Sequence, residues 1–356
     1  MKIQDVSRML GMSTRSIRYY EERGLLAPIQ KEDNGYRMFR AEDIERLRLI
    51  SWLRELGLSI EEVRSCLDKA LAGDLASIRV HMMRRRKAFV EEIVQLKLLV
   101  QQMDQLIHIP EDTEGAILFM KLEQAAEQAK RIDEMRNSWE DRWNFDSQAD
   151  QYDEKVSNVG DDAYHVHADY NKALQRACDE ARIKPGDKGL DLGIGTGNLS
   201  ARCMDNGAIM TGIDQSEQML NRCREKWPAF RLLLGNMMAL PVVNETFDFV
   251  VSTYALHHLT DEQKLIALQE IDQVLVLGGR VAIADLMFED EAHRESYYTT
   301  LKEAGREEEI KWIEDEYYAD RSRLLDWWNA NGYETGAEQL GELVHIVYAT
   351  KTSISN

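Results

Sequence analysis

The chain has 356 residues, 44% of them hydrophobic, and a formal charge of −19 from 44 Lys and Arg against 63 Asp and Glu; at roughly 100 to 200 residues per domain this predicts two or three units rather than one core. No run approaches the roughly 18 to 20 apolar residues of a membrane span, and the opening MKIQDVSRML lacks the apolar stretch and cleavage site of a signal peptide. Cys66, Cys178, Cys203 and Cys223 stand far apart with no CxxC pair, so neither a membrane protein nor a cysteine zinc site is expected, and reduced thiols in a cytoplasmic protein are.

The charge is unevenly spread. Residues 1–109 hold 19 Lys and Arg against 16 Asp and Glu, whereas residues 110–356 hold 25 against 47. Only the first stretch can approach a polyanion; the second would be repelled by one. Two jobs in one chain are the simplest explanation.

Residues 3–10 place Ile3, Val6, Met9 and Leu10 at helical spacing, and Gly11 breaks the helix. Ser13 is a good N-cap for a second helix, TRSIRYYEERGLL, which Gly24 ends. Two short helices joined by a tight glycine-containing turn are a helix-turn-helix. Asn34-Gly35 is a hairpin signal, and Tyr36, Met38 and Phe39 suit a short strand, together a wing. Helices follow over 41–56, closed by Gly57, and over 59–71, where Ser59 and Glu62 form a capping box.

From residue 74 to about 108 the positions Leu75, Ile78, Met82, Arg85, Phe89, Ile93, Leu96, Val100, Met103 and Ile107, all apolar but Arg85, step by three and four with no internal Pro or Gly, and Pro110 ends the run. The pattern reads as a coiled-coil helix and a dimer seam, the alternative being a long helix packed on its own domain. Residues 111–145 read as an acidic helical connector. From 188 strands and helices alternate (KGLDLGIG, AIMTGIDQ, FRLLLGN, TFDFVVSTYA, GGRVAIADL), which implies a parallel, doubly wound sheet. A helix, LLDWWNANGY, and a strand, LVHIVYATK, close the chain. The fold class expected is multidomain: an all-α winged helix-turn-helix with a long coiled-coil helix, then an α/β doubly wound, Rossmann-like domain.

The run STRSIRYYEERGLLAP followed by NGYRMFRAEDIERLRLI resembles the MerR family of transcription regulators over roughly residues 1–72. Thr14, Arg15, Arg18 and Tyr19 stand near the start of the second helix, the part that enters a major groove; Arg can read guanine edges bidentately or grip phosphate. Tyr20, Tyr36, Arg37 and Arg40 would position the duplex through its backbone. Core packing for Tyr19 or Tyr20, and plain solvated wing charges for Arg37 and Arg40, remain alternatives. The resemblance implies a homodimer through residues 73–109, binding double-stranded promoter DNA and distorting it so that RNA polymerase engages both promoter elements. Metal-sensing relatives carry cysteines at the ends of the coil; residues 73–112 have none, so metal sensing is not expected.

Residues 190–197, LDLGIGTG, end a strand and open a helix, and Asp214 ends the next strand in GIDQSEQML. With GNMMALP, FDFVVSTYALHHL and LGGRVAIAD they resemble class I S-adenosylmethionine-dependent methyltransferases over roughly residues 146–350. The resemblance implies that Asp191, Gly193, Gly195 and Gly197 cradle the methionine part of the cofactor. Asp214 would hold the ribose, Gln215, Met219, Asn236 and Met237 would meet the adenine, and Tyr152 would close over the ligand. Many relatives have Asp where Asn236 stands; its amide oxygen still accepts a hydrogen bond. Tyr254, His257 and His258 are the catalytic candidates, either His as a general base, the alternative being that one packs or caps the next helix. His165 and His167 form an HxH pair without a further ligand in view, so no metal is expected. No NPPY-type tetrapeptide is present to extrude a base, so the methyl acceptor is expected to be a small molecule.

The domains expected are thus 1–72 for DNA, 73–109 for dimerisation, 110–145 as connector and 146–356 as methyltransferase. Three readings stay open: a ligand-responsive regulator; primarily a small-molecule methyltransferase that autoregulates its own gene; and a regulator whose second half binds but no longer turns over.

Overall fold

The computed structural model describes residues 1–31, 37–110, 113–157 and 167–353. The chain divides into two compact units, Met1–Ala88 and Phe89–Asn356.

In the first unit α1 (Ile3–Leu10) ends at Gly11, which takes the left-handed φ of 67° that glycine adopts without steric cost. Ser13 caps α2 (Thr14–Glu22), its Oγ accepting the Ser16 N–H. The helix ends at Glu22, two residues before the expected stop at Gly24, and Leu25 and Leu26 turn into the core. β1 (Gln30–Lys31) and β2 (Arg37–Met38) pair antiparallel as the wing ribbon; the expected Asn34-Gly35 turn and Tyr36 lie outside the described residues. α3 (Ala41–Glu55) and α4 (Ile60–Leu71) follow, the latter with the reciprocal Ser59–Glu62 capping box. Val6, Ile17, Leu25, Leu47, Ile50, Leu58, Val63 and Leu67 form one core in which each helix contributes its apolar face.

α5 (Leu75–Ile107) carries the chain into the second unit. There Val90 and Val94 pack on Ala239, while Leu96, Val100, Met103 and Ile107 are exposed. α6 (Gly115–Asn137) is docked by Arg136, whose guanidinium donates to the Met238 carbonyl at 2.8 Å and to Glu270 at 2.9 Å, both ionic groups being largely buried. α7 (Phe145–Gln148), α8 (Tyr152–Ser157) and α9 (Tyr170–Glu180) lead to the sheet.

The sheet and its crossover helices run β3 (Lys188–Leu192), α10 (Asn198–Asp205), β4 (Ile209–Asp214), α11 (Glu217–Lys226), β5 (Arg231–Leu234), β6 (Phe247–Thr253), α12 (Asp261–Val274) and β7 (Leu275–Phe288). After them come α13 (Glu291–Glu303), α14 (Glu307–Asp315), the short β8 (Ala319–Asp320), α15 (Arg321–Ala330), β9 (Tyr333–Gln339) and β10 (Val344–Lys351). The strand order is β5-β4-β3-β6-β7-β10-β9, with β8 pairing β7. The strands from β5 to β7 pair parallel, and β10 pairs antiparallel with both its neighbours. The order reverses between β3 and β6, which opens the crevice at the carboxyl ends of the strands where doubly wound sheets bind ligands. β7 is buried without a break from Val281 to Phe288, the signature of a strand covered on both faces. The molecule is therefore a helical, winged amino-terminal unit followed by a doubly wound, Rossmann-like α/β unit. Among the described residues no helix is long and apolar enough to cross a membrane.

Candidate functional site

In the first unit α2 buries Ile17 and turns Arg15, Arg18 and Tyr19 outward on one face. Residues three and four apart are neighbours on a helix, so the three make one exposed polar stripe, with the Arg23 guanidinium lying 5.2 Å from the Tyr19 ring centroid. Thr14 is half-buried at the helix start. Tyr20 packs against the core, so of the two tyrosines only Tyr19 is exposed. Arg37 donates to Glu21 at 2.9 Å and is half-buried. It is a paired side chain rather than a solvated wing charge. Arg40 is exposed, and its backbone N–H is held by Asp43 at 2.8 Å.

In the second unit the strand ends build a cavity enclosing about 640 Å³ including the part open to solvent. Gly193 (φ 71°) follows β3, and a Cβ there would stand 2.5 Å from the Ala255 Cβ and 3.3 Å from the Met237 Cε. Gly195 differs: at φ 54° its Cβ would meet nothing within 4 Å, so it faces open space. Its N–H donates to Asp214 Oδ2 at 2.8 Å, and the Ser216 N–H donates to Oδ1 at 2.8 Å. Burial raises the Asp214 pKa to about 6 against the pull of these backbone donors. Asp214, Gln215, Met219, Asn236, Met237 and Tyr152 all line the cavity with Gly193 and Gly195. The Asn236 Oδ1 already accepts the Met238 N–H at 3.0 Å and keeps a second lone pair.

Two of the expected cofactor residues lie elsewhere. Asp191 is fully buried behind the loop, where it accepts the Ser200 hydroxyl at 2.7 Å and burial pushes its pKa up to about 7. Gly197 caps α10 at φ 90°, and a Cβ there would strike Trp227 and Cys223. Neither lines the cavity; Asp191 shapes the turn and Gly197 permits close packing.

α8 is pinned over the glycine loop by Asp153, which accepts from Thr196 at 2.6 Å, Asn198 at 3.0 Å and Lys226 at 2.6 Å. That clamp holds Tyr152 on the wall. Burial, then Tyr170 and Tyr254, raise its hydroxyl well above the usual phenol range.

Tyr254, His257 and His258 follow β6. Tyr254 takes a left-handed φ of 51° and lines the cavity, a strain of about 1–3 kcal/mol for a residue with a Cβ. Its ring lies 5.4 Å from that of His167, while His165 falls outside the described residues. His258 is on the wall, its ring against Trp143 (4.3 Å) and Phe145 (4.9 Å). His257 is not on the wall: it is buried, with Nδ1 bonded to Asp285. Burial opposes charge on His257, but Asp285 and then Glu316 outweigh it and raise its pKa. Burial and then the neighbouring His257 push His258 down to about 4. At neutral pH the wall therefore presents a neutral imidazole, and the buried ring behind it is one whose protonated form Asp285 and Glu316 favour.

Sequence reasoning missed Trp139 and Phe145, which come from the connector yet line the cavity. It also missed Asp285 and Glu316, which hold the histidines. Asp285 ends the motif LGGRVAIAD and lies within β7, three residues before its last residue Phe288, and an acid inside an apolar strand was the available signal.

Residues 1–70 match the model described as MerR HTH family regulatory protein, and residues 190–279 match that described as Methyltransferase domain. An uncharacterized methyltransferase of Alkaliphilus oremlandii is 31% identical over 207 residues, which are 58% of this chain and 95% of that protein. One from a Geobacillus species is 32% identical over 58% of this chain and 96% of its own. A solved magnesium protoporphyrin IX methyltransferase from Synechocystis, with bound SAH, is similar over 58% of this chain and 96% of its own at 16% identity, with a TM-score of 0.46.

Proposed function

Since this chain belongs to the family of those bacterial methyltransferases and opens with a MerR-type DNA-binding head, we propose that it is a dimeric transcription regulator whose second unit binds S-adenosylmethionine and answers to a small molecule. The observation that carries the cofactor assignment is the contrast between the loop glycines. Gly193 is glycine because protein fills the space beside it, and Gly195 because a ligand must approach the backbone there. Asp214, at the end of β4, keeps lone pairs for ribose hydroxyls beyond the two backbone donors it already binds. Met219, Asn236 and Met237 give the adenine an apolar slot with one polar edge.

S-adenosylmethionine supplies an electrophilic methyl group on a sulfonium. The chain's part is to hold an acceptor in line and exclude water, and Trp139, Phe145 and Tyr254 supply the apolar wall for that. His258, with its lowered pKa, orients the acceptor rather than stripping its proton. Arg15, Arg18 and Tyr19 meet base edges or phosphates in the major groove, and Arg40 meets the backbone. The exposed Leu96, Val100, Met103 and Ile107 form the seam of a homodimer through residues 73–109. At the promoter such a dimer acts with RNA polymerase, in the cytoplasm.

Ligand alters transcription only if it binds the two DNA-bound shapes with different affinity. In vitro transcription from the chain's own upstream promoter, with and without saturating S-adenosylmethionine or S-adenosylhomocysteine, is the test. A several-fold change in output is expected, and unchanged output with ligand bound would reject the regulatory coupling.

A specific observation also favours turnover. The relatives consist almost wholly of the part that matches this chain's second unit, so that part stands alone as a protein elsewhere. On this second reading the chain is a small-molecule methyltransferase that autoregulates its gene. Transfer of radiolabelled methyl to a metabolite of a cell extract separates the two.

A further inference from the structure

Three side chains beside the cavity, drawn from two distant segments, converge without an aligned hydrogen bond between them. His257 and His258 sit in the 3-10 turn Leu256–His258, and Glu316 follows α14. One Glu316 carboxylate oxygen lies 3.5 Å from His257 Nε2 and 3.2 Å from His258 Nδ1, and the three atoms all fall within 4.8 Å of one another. A tetrahedral ion with nitrogen and oxygen ligands at about 2.0–2.2 Å holds neighbouring donors about 3.3–3.5 Å apart. Two of the three separations already match that spacing. The buried His258 Nδ1 and Glu316 Oε2 face each other at 3.2 Å without the direction of a full hydrogen bond, and Trp143 is the other side chain that meets the Glu316 carboxylate. A poorly directed buried pair is costly unless something else satisfies it.

The surroundings are arranged as for a metal ligand. Asp285, fully buried, accepts the N–H groups of Ala255 (3.0 Å), Leu256 (2.6 Å) and Leu286 (2.7 Å), so it is rigidly held. It bonds His257 Nδ1, which leaves Nε2 facing Glu316. A carboxylate behind a histidine ligand fixes its tautomer and raises its basicity. The buried Lys264 ammonium nearby is occupied by the carbonyls of Leu259 and Tyr317, at 2.6 Å each.

We propose that His257 Nε2, His258 Nδ1 and the Glu316 carboxylate bind one divalent transition-metal ion of the zinc type, with Asp285 orienting His257 from behind. Two imidazoles and one carboxylate suit Zn²⁺ and its neighbours, whereas Mg²⁺ and Ca²⁺ demand oxygen ligands. The cysteines take no part. Because His258 is on the cavity wall, the ion stands at the cavity's margin, where its remaining positions take water or a heteroatom of the methyl acceptor. The site rests on side-chain geometry and not on what fills the cavity, so metal binding and adenosyl binding can fail separately.

The test uses the full chain, stripped with a chelator and titrated with Zn²⁺ by calorimetry and with Co²⁺ by absorption. One ion per chain is expected. The Co²⁺ complex should show the d–d bands of a tetrahedral nitrogen and oxygen site with no thiolate charge-transfer band. Glu316→Gln and His257→Ala should each weaken uptake at least about 100-fold, and Asp285→Asn about 10- to 100-fold. Circular dichroism and titration with S-adenosylhomocysteine check that each variant is folded; if His257→Ala is not, His258→Gln reads the same site. Failure of the native chain to take up one ion, a thiolate band, or undiminished affinity in folded Glu316→Gln would overturn the proposal.

Discussion

The two units solve recognition in opposite ways. In the first, Arg15, Arg18 and Tyr19 project from one helix into solvent, and the fold beneath them does little more than present that helix. In the second, Asp214 faces a cavity while His257, Asp285 and Glu316 are withdrawn from water, and backbone N–H groups hold the carboxylates of Asp214 and Asp285. An exposed stripe reads a partner larger than itself, and its charges keep ordinary solvation. A buried cluster surrounds a partner smaller than itself, and its charges are tuned by what the fold places beside them. The charge asymmetry of the sequence follows: the stripe needs a near-neutral background, the cluster does not.

The largest effect tests whether the cavity is the adenosyl site. Gly195 faces open space, so Gly195→Arg fills the cavity without a clash, at the cost of holding a side-chain-bearing residue at a left-handed φ of 54°, about 1–3 kcal/mol. Calorimetry with S-adenosylhomocysteine should show affinity lost more than about 100-fold, while affinity for the promoter at fixed salt changes by no more than about threefold, as for independent sites. Equal loss of both would break the contrast between the units.

Next in size is the stripe. Arg18→Ala should weaken promoter binding by about 10- to 100-fold, the worth of one bidentate base contact or a strong phosphate contact. Arg37→Ala should cost less, because Arg37 must first give up Glu21 at 2.9 Å. Fluorescence anisotropy over a salt series distinguishes them. A larger loss for Arg37→Ala would mean that the wing, not the helix, dominates recognition.

The same contrast explains what the sequence could tell. Helix and strand order were legible wherever burial is periodic or continuous: α3, α4 and α5 by their apolar steps, β3, β4, β6 and β7 by their apolar runs. α13 was not, because its sequence buries only Leu301 and shows no stripe. β9, YETGAEQ, was not either: a half-exposed edge strand of polar residues owes its conformation to pairing with β10, which no local pattern encodes. At the site, Asp214, Gln215, Met219 and Asn236 were legible because contiguous motifs carry them. Trp139 reaches the cavity, and Glu316 the two histidines beside it, from segments distant in sequence, and only the fold brings them together. Asp191 and Gly197 were legible as motif residues, and the fold places Asp191 on the Ser200 hydroxyl and Gly197 against Trp227 rather than on the cavity wall.

The buried carboxylates make a third prediction, with a sign opposite to the usual acid. Burial raises the Asp191 pKa from 3.8 to about 7. The folded chain therefore holds that proton more tightly than the unfolded one, and stability falls as pH rises between about 4 and 7. Asp191→Asn removes the dependence and retains an oxygen for the Ser200 hydroxyl. Relative to the native chain, the variant should gain up to about 1.4 kcal/mol per pH unit across that window in the unfolding transition of the second unit. A flat difference would mean that Asp191 ionises as if it were in water. No such trend is expected for the first unit, whose core contains no buried acid among the described residues.

The smallest effect separates folding from recognition within the first unit. Ser13 Oγ accepts the Ser16 N–H at 3.0 Å and lies 2.8 Å from the Ser16 hydroxyl, exposed at the start of the reading helix. Ser13→Ala should cost about 1 kcal/mol of that unit's stability. Against a typical total of about 5–15 kcal/mol, nearly every molecule stays folded, so denaturant titration should move the first transition and leave the second in place. Promoter affinity measured well below that transition should then fall only by what the Ser13 hydroxyl itself contributes to the duplex. A fall comparable to that of Arg18→Ala would show that the cap, and not the arginine stripe, sets the pose of α2 in the groove.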